Sequence, residues 1–385
     1  MKIDLLCEFG SLNGGEQSML ALIPLLQQRG VTFRLIAPLR SPLADAAAKL
    51  DVETTDFELK PGTTLDERRN NLAGTLWFLF PKFVHVNSLN MGRIAAPVLK
   101  VLQLPSIIHL RDIIRLNRTA IADLNACRRS LAVSEATRCF HVEQGLHGPS
   151  CHVMYNGVDL ERFRPMPSTG YLHRELGLSS KKRLLAVIGQ IGLRKGQDVL
   201  LDVLAPIFAE RDNVHLLVVG QRWSSKPESV RFEQEMRSRI EREPFRHWHD
   251  ERVHFLGVRN DIPELLNELT LLVHPARQEP LGRVLLEAAA CGTAVVATDV
   301  GGTREIFPDS FFHPPFDTPD HSASARIVAP NSPDLFRRAI ESLLDNDAAR
   351  KRLGAAARQR AETAFSREKA AENLYRHYEI VLGGE

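Results

Sequence analysis

LLVHPARQEPLGRVLLEAAACGTAVVATD, running from Leu271 to Asp299, is the stretch on which the fold turns. Leu271–His274 is a short apolar run of strand type. Arg283–Cys291 has a helical pattern, and Ala294–Thr298 is a second apolar run. Strand, loop, helix and strand make a βαβ unit, and runs with so little alternation suit parallel strands buried on both faces. The first N–H groups of the helix have no partner within it, and Gly282 lets a ligand approach the backbone closely. The loop–helix junction is therefore an anion site suited to a diphosphate. Glu279 lies in the loop just ahead, where an acceptor for sugar hydroxyls is useful. Glu287 lies about a turn and a half inside the helix, among Leu285, Leu286, Ala288 and Ala289. A carboxylate in such company is costly without a partner. Vicinal ribose hydroxyls would satisfy it, and so would an i,i+4 pair with Arg283.

The same alternation extends outward in both directions. Upstream in the second half lie strand runs Leu184–Ile188, Val214–Val219 and Val253–Leu256, separated by helical patterns Gln197–Glu210, Phe232–Arg242 and Ile262–Glu268. The first half repeats the scheme. Its strand runs are Ile3–Cys7, Thr32–Ala37, Val84–Asn87, Ser106–His109, Leu131–Val133 and Cys151–Tyr155, with helices expected at Glu16–Arg29, Leu65–Phe80, Met91–Leu102 and Glu135–Gln144. Two such series in 385 residues predict an α/β chain of two Rossmann-like, doubly wound parallel-sheet domains, since a single core rarely grows past roughly 250–300 residues. Arg164–Gly170, with two prolines and a glycine, reads as the linker. The expected domains are 1–165 and 171–365, with a terminal helix at about 366–385 packing back on the first. Phe307–Ser324 reads as an irregular excursion. Ligands of open α/β sheets bind beyond the carboxyl ends of the strands, so facing domains would enclose a cleft there.

Composition narrows the function. A net charge of +2 is too small for a nucleic-acid binder. Five dispersed cysteines without CxxC spacing suit free thiols in a reducing compartment and give no zinc pattern. The start, MKIDLLCEFG, is no signal peptide, and no run approaches the roughly 20 apolar residues that span a bilayer. The expected location is cytoplasmic. Between Lys82 and Arg138, basic residues outnumber acids, and Trp77, Phe78, Phe80 and Phe83 stand just upstream. That pattern suits solvated surface, an anionic acceptor or a peripheral contact with an acidic membrane face.

Glu279, seven intervening residues and Glu287, followed without a gap by VVATDVGGTREI (Val295–Ile306), form a pattern that resembles the retaining nucleotide-sugar glycosyltransferases of the GT-B fold, family 4. Gly189–Gly196 (GQIGLRKG) resembles that family's phosphate loop, in which an Arg after the strand and the Lys of "KG" grip the diphosphate. Lys195 matches the Lys. Gln190 stands in place of the Arg, and Arg194 is the candidate substitute. FLGVRNDI (Phe255–Ile262) resembles the family's base-contacting turn at Val258 and Arg259; read alone it is a strand, a Gly turn and an Asp cap. Gly14 and Gly15 resemble the "GGxE" loop that closes over donor phosphates and acceptor; no GxGxxG is present. NGVDLERF (Asn156–Phe163) matches a stretch that shapes the floor between domains.

The resemblance therefore implies a hexosyl-transferring enzyme that needs no cofactor and no metal. It would move a sugar from a UDP-, GDP- or ADP-sugar to a sugar, lipid-linked or small-molecule acceptor. His109, Lys195 and Glu279 would be catalytic. Gly14, Gly15, Gln190, Arg194, Lys195, Val258, Arg259, Glu279, Leu281, Gly282 and Glu287 would bind the donor. Asn87, Ser88 and Ser134 are acceptor candidates, although Ser134 also reads as a helix cap. A sugar-nucleotide epimerase of the same fold and a non-catalytic nucleotide-sugar binder are the alternatives.

Overall fold

The computed structural model describes residues 1–242, 252–312 and 323–383, which form two compact units. The first unit comprises Met1–Asp159 and Phe365–Glu385, and the second comprises Leu160–Ala364.

In the first unit the strands are β1 (Lys2–Leu6), β2 (Thr32–Ala37), β3 (Glu53–Asp56), β4 (Val84–Val86), β5 (Ser106–Leu110), β6 (Ser130–Ala132) and β7 (Cys151–Val153). They pair in the order β3-β2-β1-β4-β5-β6-β7, every pair parallel. In the second unit β8 (Arg183–Ile188), β9 (Val214–Val219), β10 (Val253–Gly257), β11 (Leu271–His274), β12 (Val295–Thr298) and β13 (Arg326–Val328) pair as β10-β9-β8-β11-β12-β13, again all parallel. Central strands such as β9 and β11 are buried along their whole length, which is why they read as unbroken apolar runs.

Helices cover both faces of the first sheet. One face packs Ile3, Leu5 and Ile107 against Met19, Ile23, Leu374 and Tyr378. The other packs Leu6, Val84, Val86 and Ile108 against Leu72, Ile94 and Leu99. In the second unit Leu185, Val187, Leu216 and Val273 meet Leu200, Leu204, Phe336 and Ile340.

Four expectations need correction or extension. β3, ETTD, is a polar edge strand with no fully buried residue, so no apolar run announces it. β13 is only three residues long. The helix expected at Glu16–Arg29 is broken into Gly14–Leu20 and Ile23–Gln27, because Pro24 lacks an N–H and its ring excludes the carbonyl one turn back. The proline-rich stretch after Arg164 is not a loose tether. Met166 N–H donates to Asn267 Oδ1 at 2.7 Å, and the buried Glu268 carboxylate accepts from Ser168 Oγ (2.7 Å), Thr169 N (2.7 Å) and Oγ1 (2.9 Å), and Gly170 N (2.9 Å). These bonds fasten the stretch to the second unit, and the chain divides earlier, between Asp159 and Leu160. Most of the excursion expected at Phe307–Ser324 lies outside the described residues.

The tail joins the first unit by hydrogen bonds. Val158 N–H donates to Phe365 O (2.8 Å) and Arg367 N–H to Val158 O (3.1 Å). A Cβ on Gly157 would sit 2.4 Å from Arg367 Cα, so the Asn156-Gly157 turn is glycine because the tail crosses directly over it.

Candidate functional site

Both sheets reverse their strand order at one point. In the second unit the chain builds β8, β9 and β10 to one side, then returns to place β11 on the other side of β8. Ligands of doubly wound sheets bind in the crevice at such a switch point, beyond the carboxyl ends of the strands. The loops that leave β8 and β11 are Gly189–Gly196 and Pro275–Gly282, the two that the sequence singled out.

These loops are built against each other. Arg277 N–H donates to Arg194 O (2.8 Å). Gly196 has φ +68°, and a Cβ there would lie 2.0 Å from Pro275 O, so only glycine permits the approach. Gln197, buried at the start of its helix, donates to Gln190 O (3.0 Å) and accepts from Gly192 N (3.3 Å). The Gln190 and Arg194 side chains are exposed.

At the centre lies Glu279, 5% exposed. Its Oε2 accepts from Lys195 Nζ in a short ion pair and from His274 Nε2 at 2.8 Å. Oε1 accepts nothing from the described residues. Burial alone would raise the carboxyl pKa. The Lys195 charge and the His274 hydrogen bond outweigh it and hold Glu279 well below the usual carboxylate range. Burial also keeps His274 below its ordinary value. A carboxylate only accepts, so neutral His274 carries its proton on Nε2. The result is an ionised, oriented acid beside a helix start. Glu279 O accepts from Gly302 N (3.0 Å), tying in the Gly301-Gly302 turn.

Gly282, at φ +105°, precedes the helix Arg283–Cys291, and a Cβ on it would strike Leu285 Cδ1 at 2.7 Å. Leu281 is buried. Glu287 is 8% exposed and pairs with Arg283 Nε at 2.8 Å, which is the simple i,i+4 pair. Burial raises its pKa more than Arg283 and Arg162 lower it. Val258 is exposed. The Arg259 side chain is committed to Asp261 (2.8 and 2.6 Å) and Glu175 (2.6 and 3.1 Å).

The first unit has its own switch point, between β1 and β4. The sequence reading missed its central residue, Arg111. Its guanidinium donates to Asn87 Oδ1 (3.1 and 3.0 Å), Asn156 Oδ1 (2.9 Å) and His109 Nδ1 (3.1 Å). Burial lowers its pKa to about 10. Gly15 is needed here: a Cβ would meet Arg111 Cδ at 2.8 Å, whereas Gly14 has open space around it. Glu16 Oε2 accepts from Asn13 N (3.1 Å), closing the helix start. His109 is buried and lies one residue before the end of β5. Its ring stacks on His85 at 5.6 Å between centroids, and His85 Nδ1 meets Tyr378 OH at 2.6 Å. Ser88 and Ser134 are helix caps, accepting from Met91 N (3.1 Å) and Thr137 N (3.0 Å). Nothing in the spacing of the sequence announces Arg111, His85 or Tyr378 as partners, because β4, β5 and the terminal helix meet only in three dimensions.

Among the described residues no cluster of three or more His, Cys, Asp or Glu is arranged to hold a metal ion, and no helix is long and apolar enough to cross a membrane.

Known proteins resemble both units. The family model described as Glycosyl transferases group 1 matches residues 171–360, and that of Glycosyltransferase Family 4 matches residues 12–162. Spore coat protein SA of Bacillus subtilis is 28% identical over 236 residues, 59% of this chain and 58% of that protein. The alpha-maltose-1-phosphate synthase of Mycobacterium tuberculosis is 31% identical over 273 residues, 67% of this chain and 65% of the synthase. The chain thus spans less than two thirds of these relatives' lengths. Among solved structures, Anabaena HepE in complex with UDP and glucose superposes with a TM-score of 0.83 at 20% identity, over 98% of this chain and 99% of its own.

Proposed function

Because the chain belongs to the group 1 glycosyltransferases and has their GT-B fold, we propose that it transfers a sugar from a nucleoside-diphosphate donor to a hydroxyl acceptor with retention of anomeric configuration. The bond from the anomeric carbon to the diphosphate breaks and a bond to the acceptor oxygen forms. The acceptor's proton leaves on the released diphosphate. The observation that carries this reading is the Lys195–Glu279–His274 cluster, set ahead of the Gly282 helix start at the β8/β11 switch point. Fixed positive charge at Lys195 and Arg194, with the helix N-terminus, stabilises charge developing on the leaving diphosphate. No step here calls on a metal. Glu279 Oε1 receives sugar hydroxyls. Glu287 trades Arg283 for ribose hydroxyls, Val258 and Arg259 meet the base through the backbone, and His109, within the first unit, offers a donor to a sugar hydroxyl.

A relative that makes a maltose phosphate and a fold neighbour crystallised with UDP and glucose support a nucleotide sugar as the donor. The test is a thermal-shift panel of UDP, GDP, ADP and their sugars, followed by labelled-sugar turnover. One nucleotide class should raise the melting temperature, by the equivalent of about 2.7 kcal/mol at a hundredfold excess over Kd, and its sugar should be transferred. Epimer formation without transfer, or binding without turnover, would assign the chain to the epimerase or the non-catalytic reading.

We also propose that the first unit docks peripherally on an anionic membrane. Trp77, Phe78 and Phe80 are 68%, 81% and 76% exposed. The helices Leu65–Leu79 and Leu89–Val101 precede the parallel neighbours β4 and β5, so their C-terminal ends share the edge of the unit where the strands begin, away from the loops that follow the strands. Exposed Lys82, Lys100 and Arg128 lie at that edge, and aromatic side chains with cations match a headgroup surface. Sedimentation with phosphatidylglycerol vesicles should pull the protein down, and Trp77→Ala/Phe78→Ala/Phe80→Ala should release it. Equal binding to neutral phosphatidylcholine vesicles, or none to either, would refute this.

A further inference from the structure

We propose that Arg111 is a positioning residue of the transferase: its guanidinium locks His109 as the tautomer protonated on Nε2, and at the same time turns the Asn87 amide so that its NH2 group is left to donate. The inference rests on the transferase reading for its catalytic consequence, but not for its geometry.

A guanidinium has five N–H donors and no acceptor. Arg111 Nη2 lies 3.1 Å from His109 Nδ1 and 3.0 Å from Asn87 Oδ1. Both atoms must therefore accept. His109 can accept at Nδ1 only if its proton is on Nε2, and Asn87 can accept only with its oxygen toward Arg111 and its nitrogen away. The two groups left over, His109 Nε2–H and Asn87 Nδ2, are both buried and find no nitrogen or oxygen partner among the described residues, the Cys7 thiol alone standing beside Asn87. A buried donor without an acceptor is destabilising until something accepts from it. Two of them held by the same guanidinium, one just past the end of β4 and the other in β5 beside it, next to the β1/β4 switch point, make a donor pair awaiting an oxygen-rich ligand. Sugar hydroxyls are such acceptors.

Arg111 is itself held without a carboxylate. Its hydrogen-bond partners Asn87, Asn156 and His109 are uncharged or, for the histidine, kept neutral. Around it stand Cys7, Glu16, Asp112, His85 and Tyr378, with His377 beyond. Gly15 leaves the space through which its side chain passes. The Gly-Gly first turn of the helix Gly14–Leu20 is thus shaped by an internal arginine. Cation, tautomer and turn form one assembly.

The experiment is a long-range proton–nitrogen NMR spectrum of the 15N-histidine-labelled full chain at neutral pH, read with and without a nucleoside diphosphate, alongside steady-state kinetics. Wild type should show His109 protonated at Nε2 and bare at Nδ1. Arg111→Met, matched in length, should give mixed tautomers and a kcat lower on the order of 100-fold. Arg111→Lys should restore the tautomer in part. Gly15→Ala displaces the guanidinium without deleting it, so it should mix the tautomers even if Arg111→Met fails to fold. A wild-type His109 protonated at Nδ1 would overturn the proposal, as would an unchanged tautomer in a folded Arg111→Met or Gly15→Ala protein. If no donor is turned over, the transferase reading fails, and the spectrum still decides the tautomer.

Discussion

Lys195→Ala is expected to lower the stability of the second unit by about 3–5 kcal/mol, the cost of leaving one member of a buried ion pair uncompensated. The Lys195 and Glu279 side chains are 13% and 6% exposed, so solvent screens little of the interaction. With the ammonium gone, burial would dominate at Glu279 and its pKa would climb from far below the carboxylate range toward or above it. Glu279→Gln added to Lys195→Ala should recover most of the lost stability, because the charge that lacked a partner is removed and His274 keeps a hydrogen bond. Activity should separate from stability across this cycle. Both single variants and the double variant should lose sugar transfer on the order of 100-fold or more, since fixed charge at the leaving group is missing or the acid cannot hold the sugar. Urea titration of the second unit's transition and turnover with the identified donor check the two halves. A double variant as unstable as Lys195→Ala would show that Lys195 acts through packing and not through its charge.

The second large effect is loss of stability on acidification, centred in the first unit. Burial, aided by Arg111, brings His85 to about 3, and burial with Arg129 and His152 brings His377 to about 4. His109 also lies well below its ordinary value, by burial first and then by Arg111, His85 and His377. A folded-state pKa below the unfolded one means that the stabilisation is complete above about pH 6.5 and is lost as the pH falls. At pH 5 the His85 contribution alone is down by roughly 2 kcal/mol, at about 1.36 kcal/mol per unit, and the other two histidines act in the same direction. Glu8, Glu16 and Glu287, whose pKa values burial raises, work the opposite way only where they begin to protonate. These acids offset the histidines wherever they protonate inside the window from pH 7 to 5, so the His85 contribution is read as the difference between wild type and His85→Gln. Unfolding midpoints measured across it should fall, and His85→Gln should flatten the slope. A slope left unchanged by His85→Gln would rule out a neutral, buried His85.

Much of this architecture was legible in one dimension because parallel strands buried on both faces must be apolar throughout. Leu271–His274 and Val214–Val219 could hardly be anything else. Gly282, Glu279 and Lys195 were legible for a related reason: they lie in loops directly after such strands, where residue type is set by a local need. β3 was hidden because an edge strand need not be apolar. The broken first helix was a local feature misjudged, with Pro24 in plain view.

The two-domain α/β architecture, the loops of the candidate site and the family could be read from one dimension, because each depends on periodicity or on spacing within one βα unit. It took the folded chain to show that Glu279 is ionised between Lys195 and His274, that Glu287 has Arg283 as its partner, that Gly15 makes room for Arg111, and that Tyr378 reaches His85. Lys195 and Glu279, Gly15 and Arg111, and His85 and Tyr378 are far apart in the chain, whereas Arg283 and Glu287 share one helix and the sequence left that pair open against a ribose partner. Their energies come from burial and from the distance between charges, which a linear order of residues does not contain.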